Sequence, residues 1–340
     1  MVHASWKKLS IFTLVFASAS LALATEERLS DFEPWFTGPI VAPSGNNLPL
    51  GQGNIEPYLN VEVDYGAYQN SWKREHIKHV IEVYPLMFLQ AGLCSWLDMT
   101  LIFQDTYAHQ GSDNVNRFND LVLSFGIQLL KDKPGTAIPS LRLNLTEQFP
   151  VGKYENLNTG KLAIDAGGAG TYRTGIGLNL SKVVYWMKSH PISWRCYVKA
   201  TIPTHVPVHE FHAYGGGFGT DGTIKPYFGI IQGTSMEISI TQRWAFAFEY
   251  LYEFKTSATF SGTPGSISKT ILHEDDESQR ILFGPVTQNG TRVSHRISLA
   301  PAIEYSFNAD LGIIAGVWFT VCGKNATAMA TGVFAVTYTW

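Results

Sequence analysis

The chain has 340 residues, a formal net charge of −3, 16% charged and 13% aromatic side chains, and three cysteines. This near-neutral balance offers no basic surface for nucleic acid, and no nucleic-acid partner is expected. Cys94, Cys196 and Cys322 are far apart and lack CxxC or zinc-type spacing, so they read as apolar strand residues rather than a disulfide framework or a metal cluster.

The first residues address the chain to a compartment. A short basic opening with Lys7 and Lys8 precedes an apolar run, Leu9 to Leu23, broken only by Ser and Thr, and Ala22-Leu23-Ala24 forms a small-residue cleavage pattern. Residues 1–24 therefore read as a secretory signal peptide cut before Thr25, since a run of roughly 15 residues is short for an anchor helix. Residues 25–52 are a Pro- and Gly-rich lead-in, expected to lie in the periplasm or to tuck into the C-terminal domain as a plug. No second apolar run is long enough to span a bilayer as a helix, so the secreted chain is either soluble or crosses as strands.

From residue 53 onward, period-two alternation dominates. In IEPYLNVEVDY, Ile55, Leu59, Val61, Val63 and Tyr65 oppose Glu56, Asn60, Glu62 and Asp64. In RWAFAFEYLYEFK, Trp244, Phe246, Phe248, Tyr250, Tyr252 and Phe254 fall on one face, with Arg243, Glu249, Glu253 and Lys255 on the other. A helix would scatter those aromatics, whereas a strand collects them. The same reading gives about twelve strands, near 53–68, 77–90, 93–108, 117–130, 137–149, 170–184, 191–204, 225–241, 243–259, 292–306, 309–322 and 327–340.

The links sort by length. Those after even strands are short, while most of those after odd strands are longer, including 152–169, 205–222 and a long run around the acidic His273–Ser278. An up-and-down barrel with a turn side and a loop side has this pattern. An even strand count places both termini on the turn side, which in outer-membrane barrels is the periplasm. The last strand, TGVFAVTYTW, closes the sheet against the first. Its alternating apolar residues and terminal Trp340 resemble the signal read by the bacterial outer-membrane assembly machinery.

A secreted sandwich would show the same alternation, but two features favour a membrane barrel. Aromatics such as Tyr65, Trp194, Trp244, Tyr305 and Trp340 lie near strand ends on the apolar face, as interfacial girdles in contact with outer-membrane lipid require. The opposite face carries charge and glycine deep within strands, as in Arg173, Gly175, Gly177 and Asn179, which suits a crowded interior. The expected fold is thus all-β: a transmembrane up-and-down antiparallel barrel over residues 53–340.

The lead-in TGPIVAPSGNNLPLGQGNIEPYLNVE, the segment RFNDLVLSFGIQLLKDKPGTAIPSLRLNLTEQFPVGKY and the aromatic C-terminal strand carry a family resemblance. They are similar to the outer-membrane transporter-like barrels of the "MetA-pathway of phenol degradation" family. That resemblance implies a bacterial outer-membrane barrel moving small, often hydrophobic compounds, with no catalytic residues to carry over.

Few constellations suggest chemistry. His205, His209 and His212 lie near Glu210 in an expected external loop, but the spacing is not HExxH and solvated loop histidines are the simpler reading. Ser294 and His295 are adjacent on a strand and point to opposite faces, so they cannot form a catalytic pair. No enzyme and no cofactor are expected.

The lumen charges say more. Glu56, Glu62, Asp64, Glu82, Asp98 and Asp120, with Lys78, make the first four strands acidic; Arg142, Arg173, Arg195 and Lys199 make the next three basic. The later strands mix signs through Glu237, Arg243, Glu249, Glu253, Lys255, Arg296 and Glu304. Opposed walls either create a transverse field that selects dipolar solutes or pair with one another and narrow the bore. The expected function is an outer-membrane channel or porin-like transporter for a small-molecule solute. A surface barrel displaying binding or adhesion loops is the alternative, and an outer-membrane hydrolase the third.

Overall fold

The computed structural model describes residues 32–133, 135–161, 164–266 and 291–340. The expected signal peptide and the acidic His273–Ser278 run lie outside the described residues. Among the described residues sixteen strands occur, in chain order: β1 (Gly53–Tyr68), β2 (Arg74–Cys94), β3 (Leu97–Gln110), β4 (Asp113–Phe118), β5 (Leu121–Leu130), β6 (Ser140–Phe149), β7 (Arg173–Val184) and β8 (Ile192–Pro203) in the first half. The second half holds β9 (Val206–His212), β10 (Gly215–Lys225), β11 (Gly229–Ser239), β12 (Trp244–Lys255), β13 (Thr259–Ser266), β14 (Ser294–Ser306), β15 (Leu311–Lys324) and β16 (Ala326–Thr339).

Twelve of these form a closed antiparallel barrel. The order β2-β1-β16-β15-β14-β12-β11-β8-β7-β6-β5-β3 is completed by β2 pairing with β3, so no edge is left open. The seam runs from Asn54 opposite Thr339 to Tyr68 opposite Ala326, and Gly53 and Trp340 exchange two backbone bonds of 3.0 Å. The terminal strand therefore stops where its last partner stops.

One end of the barrel, the turn end, carries the short links after β2, β5, β7, β11 and β14 together with both Gly53 and Trp340. The other, the loop end, carries the longer excursions, although β15 and β16 are joined there through Asn325 alone, in a left-handed conformation (φ 48°). Two stretches at the loop end differ from expectation. The strand expected over 117–130 is two, because Asp120 bends out of the ladder to accept the backbone N–H groups of Gly152 and Ala169, each at 3.0 Å. The stretch 205–222, expected as loop, folds as β9 and β10, which pair with β13 in a separate three-stranded sheet. Its small core of Val206, Val208, Tyr214, Ile224 and Ala258 packs against Tyr154 and Ala169 of the β6–β7 link. β9 has only seven residues and β10 is Gly-rich, so the pair gives a weak strand signal in sequence.

The exterior of the barrel wall is apolar. Leu59, Val61, Phe125, Leu145, Ile176, Leu178, Val198, Phe246, Phe248, Ile303 and Phe334 are all exposed on it. Aromatic pairs sit near its ends: Trp244 with Tyr305 and Tyr338 with Trp340 at the turn end, and Phe149 with Tyr172 at the loop end. An apolar belt between aromatic girdles is the exterior that a bilayer-spanning barrel needs.

Candidate functional site: the barrel interior

Inward positions alternate with the apolar exterior along every wall strand, as the pleat requires. Glu237, Glu249, Glu304 and Asp98 are fully buried inside the wall, and Arg142 and Arg195 nearly so. Burying such groups is costly unless each is paired. Four ion pairs meet part of this demand: Asp98 with Arg142, Glu82 with Arg117 (2.6 Å), Glu237 with Arg195 (3.1 Å) and Glu253 with Arg296. They join strands that are adjacent or nearly so. The charges are therefore neutralised along the wall rather than across the bore.

Glycine makes the larger side chains fit. A Cβ on inward-facing Gly175 would lie 2.6 Å from Cε of Lys199, and one on Gly126 would collide with the Arg142 guanidinium. The long basic groups thus lie flat over glycine on the neighbouring strand.

Two further carboxylates, Glu249 and Glu304, take hydrogen bonds from the chain's own lead-in. Residues 35–51 follow the inner wall at the turn end, from the β11–β12 turn, where Trp35 N–H donates to Gln242 O, to β2, where Gly51 N–H donates to Gly92 O. Glu304 accepts the N–H and the hydroxyl of Thr37, both at 2.9 Å. Glu249 accepts Val41 N–H at 2.9 Å and Ala42 N–H at 2.6 Å. Gly45 N–H donates to Ser181 Oγ (2.7 Å), Asn47 N–H to Gln128 Oε1 (2.8 Å) and Leu48 N–H to Asp98 Oδ2 (3.0 Å). Arg195 donates to Ala42 O at 3.3 Å. Ile40 packs into a patch of Ala247, Ala302, Ile314 and Ala335, where small inward residues leave room for the segment.

Two cavities lie in the bore among the described residues. The larger, about 610 Å³, is lined by the lead-in, by Glu56, Arg195 and Lys199, and by apolar side chains including Tyr58, Phe88 and Ile102. The smaller, about 190 Å³ and nearer the loop end, is lined by Arg173, Tyr227, Glu253 and Lys255. Both touch Val122, Thr146, Lys199 and Ile231, so they adjoin along the barrel axis.

Beside Lys78, which is exposed on β2 rather than inside, and Lys255, which lines the smaller cavity, sixteen other charged residues were expected inside, and they distribute unevenly. Glu56, Asp98, Arg142, Arg173, Arg195, Lys199, Glu237, Glu249, Glu253, Arg296 and Glu304 take the inward places given above. Glu62 accepts from Tyr84 Oη (3.0 Å) and Thr331 Oγ1 (2.9 Å), in register with Glu82 and two residues from Asp64. Two are placed differently. Arg243 lies in the exposed β11–β12 turn, because β12 begins only at Trp244. Asp120 belongs to the break between β4 and β5, and its carboxylate holds the β6–β7 link rather than lining the bore. The loop histidines are not brought together. His205 and His209 are exposed, with His209 3.0 Å from Asp221, whereas His212 is fully buried and accepts from Tyr214 N–H (3.2 Å). Burial pushes the His212 imidazole down to about 4.

Sequence reasoning missed Tyr227 and the backbone donors of 37–48. Tyr227 stands alone between two strands with no partner at a telling spacing, and backbone amides leave no mark in a sequence.

No protein-family model matches the sequence, and no curated protein matches it. The barrel is similar to the crystal structure of an outer membrane channel from Pseudomonas putida F1, with a TM-score of 0.65 at 10% identity over 90% of this chain and 100% of that one. The transport unit of the autotransporter AIDA-I from Escherichia coli gives 0.44 at 10% identity, covering 96% and 98%, and the translocator domain of NalP from Neisseria meningitidis 0.42 at 9%, covering 86% and 89%. The first likeness is one of fold, and the chain accordingly has the fold of an outer-membrane β-barrel.

Proposed function

We propose that this chain is a channel of the bacterial outer membrane that passes small molecules through a charged, partly occluded lumen. The signal peptide is removed before Thr25, both termini lie on the periplasmic side, and the strand ending at Trp340 is the segment read by the assembly machinery. The observation that carries the reading is the pair of adjoining cavities, which together extend from the lead-in at the turn end to Tyr227 near the loop end. Tyr58, Phe88, Ile102 and Val122 give that path an apolar flank opposite Arg195 and Lys199, so solutes with an apolar body and a polar head suit it. Residues 35–51 act as a plug at the periplasmic mouth, held by carboxylates that would otherwise be buried without partners. No covalent step is involved.

The three-stranded sheet β9-β10-β13, with Phe218 exposed on it, supports the second reading, a surface barrel displaying its loops. A liposome-swelling assay separates the two. A channel admits small organic solutes at a rate that rises when residues 35–50 are deleted; a display barrel leaves the vesicles impermeable with or without them.

A further inference from the structure

The smaller cavity holds more positive charge than its surroundings neutralise. Arg173, Lys199 and Lys255 all line it, and Glu253 is the one carboxylate among the lining residues. Glu253 is already engaged by Arg296. Asp120, nearby at the loop end, is filled by the Gly152 and Ala169 amides and by Gln148 Nε2 at 2.9 Å. Lys199 makes no ion pair or hydrogen bond among the described residues, although it sits inside the wall over Gly175. Arg173 donates one Nη to Tyr227 Oη at 2.8 Å and also engages the Tyr214 side chain, yet its Nε–H is buried and bonds to nothing among the described residues. Tyr227 collects the cations: Arg173 Cζ lies 4.7 Å and Lys255 Nζ 5.1 Å from its ring centroid. An aromatic face offsets such charges only in part.

A cation enclosed without a counter-charge is expensive, and three around one cavity also repel each other. We infer that this cavity is a binding site for a small organic carboxylate with an apolar or aromatic body. The unpartnered Nε–H of the Arg173 guanidinium is a charge-assisted donor that a carboxylate accepts from. Lys199 and Lys255 supply the charge, and the body of the ligand lies against Val122, Ile231 and the Tyr227 ring. Inorganic phosphate would satisfy the cations but leave those apolar walls unused. Lys199 also lines the larger cavity, so a bound carboxylate sits one step from the path toward the plug. The inference rests on the lumen being reachable by solutes, as proposed above, and names the class of solute this part of it selects.

The test is calorimetric titration of the purified, folded full-length barrel in detergent with benzoate, benzyl alcohol and inorganic phosphate. Saturable benzoate binding is expected, with benzyl alcohol and phosphate each at least roughly tenfold weaker. Lys199→Met, which breaks no ion pair or hydrogen bond, and Arg173→Gln should each weaken benzoate by roughly tenfold or more, with folding checked by heat-modifiable electrophoretic mobility. Absent or unsaturable benzoate binding overturns the inference, as does phosphate binding as tightly as benzoate, or benzoate binding that Lys199→Met leaves unchanged in folded protein. Permeable vesicles without benzoate binding would sink this site and leave the channel standing. Impermeable vesicles with benzoate binding would do the reverse.

Discussion

Glu249 is the most informative place to perturb the lead-in. Its fully buried carboxylate accepts two backbone N–H groups, Val41 at 2.9 Å and Ala42 at 2.6 Å, from a segment more than 200 residues away in sequence. A hydrogen bond to a charged acceptor contributes roughly 1.5–3 kcal/mol, so at the lower figure Glu249→Ala removes about 3 kcal/mol of attachment. At about 1.4 kcal/mol per tenfold, the open form of the segment should become about a hundredfold more populated. Hydrogen exchange read by mass spectrometry measures this directly: amides of residues 37–48 should exchange about a hundredfold faster in Glu249→Ala than in the parent barrel. Glu249→Gln retains one acceptor oxygen and should fall between the two. Equal exchange over 37–48 in parent and Glu249→Ala, with the barrel folded in both, would refute the idea that carboxylates fasten the segment.

Other consequences concern the wall and the outer sheet. Arg142→Ala leaves Asp98 buried without its cation and should destabilise the barrel by roughly 3–5 kcal/mol in urea unfolding; Gly126→Ala, which pushes a Cβ into the same guanidinium, should act in the same direction. Because His212 is neutral in the closed sheet down to about pH 4, the opened form takes up a proton that the closed form refuses as pH falls below the ordinary imidazole value of 6.5. Opening of the β9–β10 hairpin should therefore become easier between about pH 6.5 and 4, seen as a falling protection factor of the Tyr214 amide relative to the free-peptide exchange rate at each pH, and His212→Phe should abolish that dependence. Deleting Trp340 removes the two backbone bonds to Gly53 that end the seam and should slow assembly into bilayers, followed by the appearance of the heat-modifiable band.

Alternation in β12 was enough to place Glu249 and Glu253 inside and Phe246 and Phe248 outside, because a strand buried on one face repeats with period two whatever lies around it. The same rule located the seam strand β16 and the inward Arg195 and Lys199. It failed at Arg243, where the alternation runs on past the end of the ladder into a turn, and at Asp120, where a side chain prefers two amides of a distant link to its place in the strand. Residues 35–51 were legible only as a lead-in that tucks inside or stays out. What holds them is the set of backbone N–H groups aimed at Glu304, Glu249 and Asp98, and no residue type in that stretch announces those bonds. The smaller cavity was half visible: Arg173 and Lys199 were expected in the lumen, but that they lack carboxylate partners depends on Glu253 turning to Arg296, which only the three-dimensional register reveals.

A lumen that conducts past a removable plug is tested most directly by single-channel recording in planar bilayers of the full-length barrel and of the barrel lacking residues 35–50. Discrete conductance steps are predicted for both, larger after the deletion, with a shift in ion selectivity on Arg195→Glu. A folded barrel that stays silent in both forms would contradict the channel.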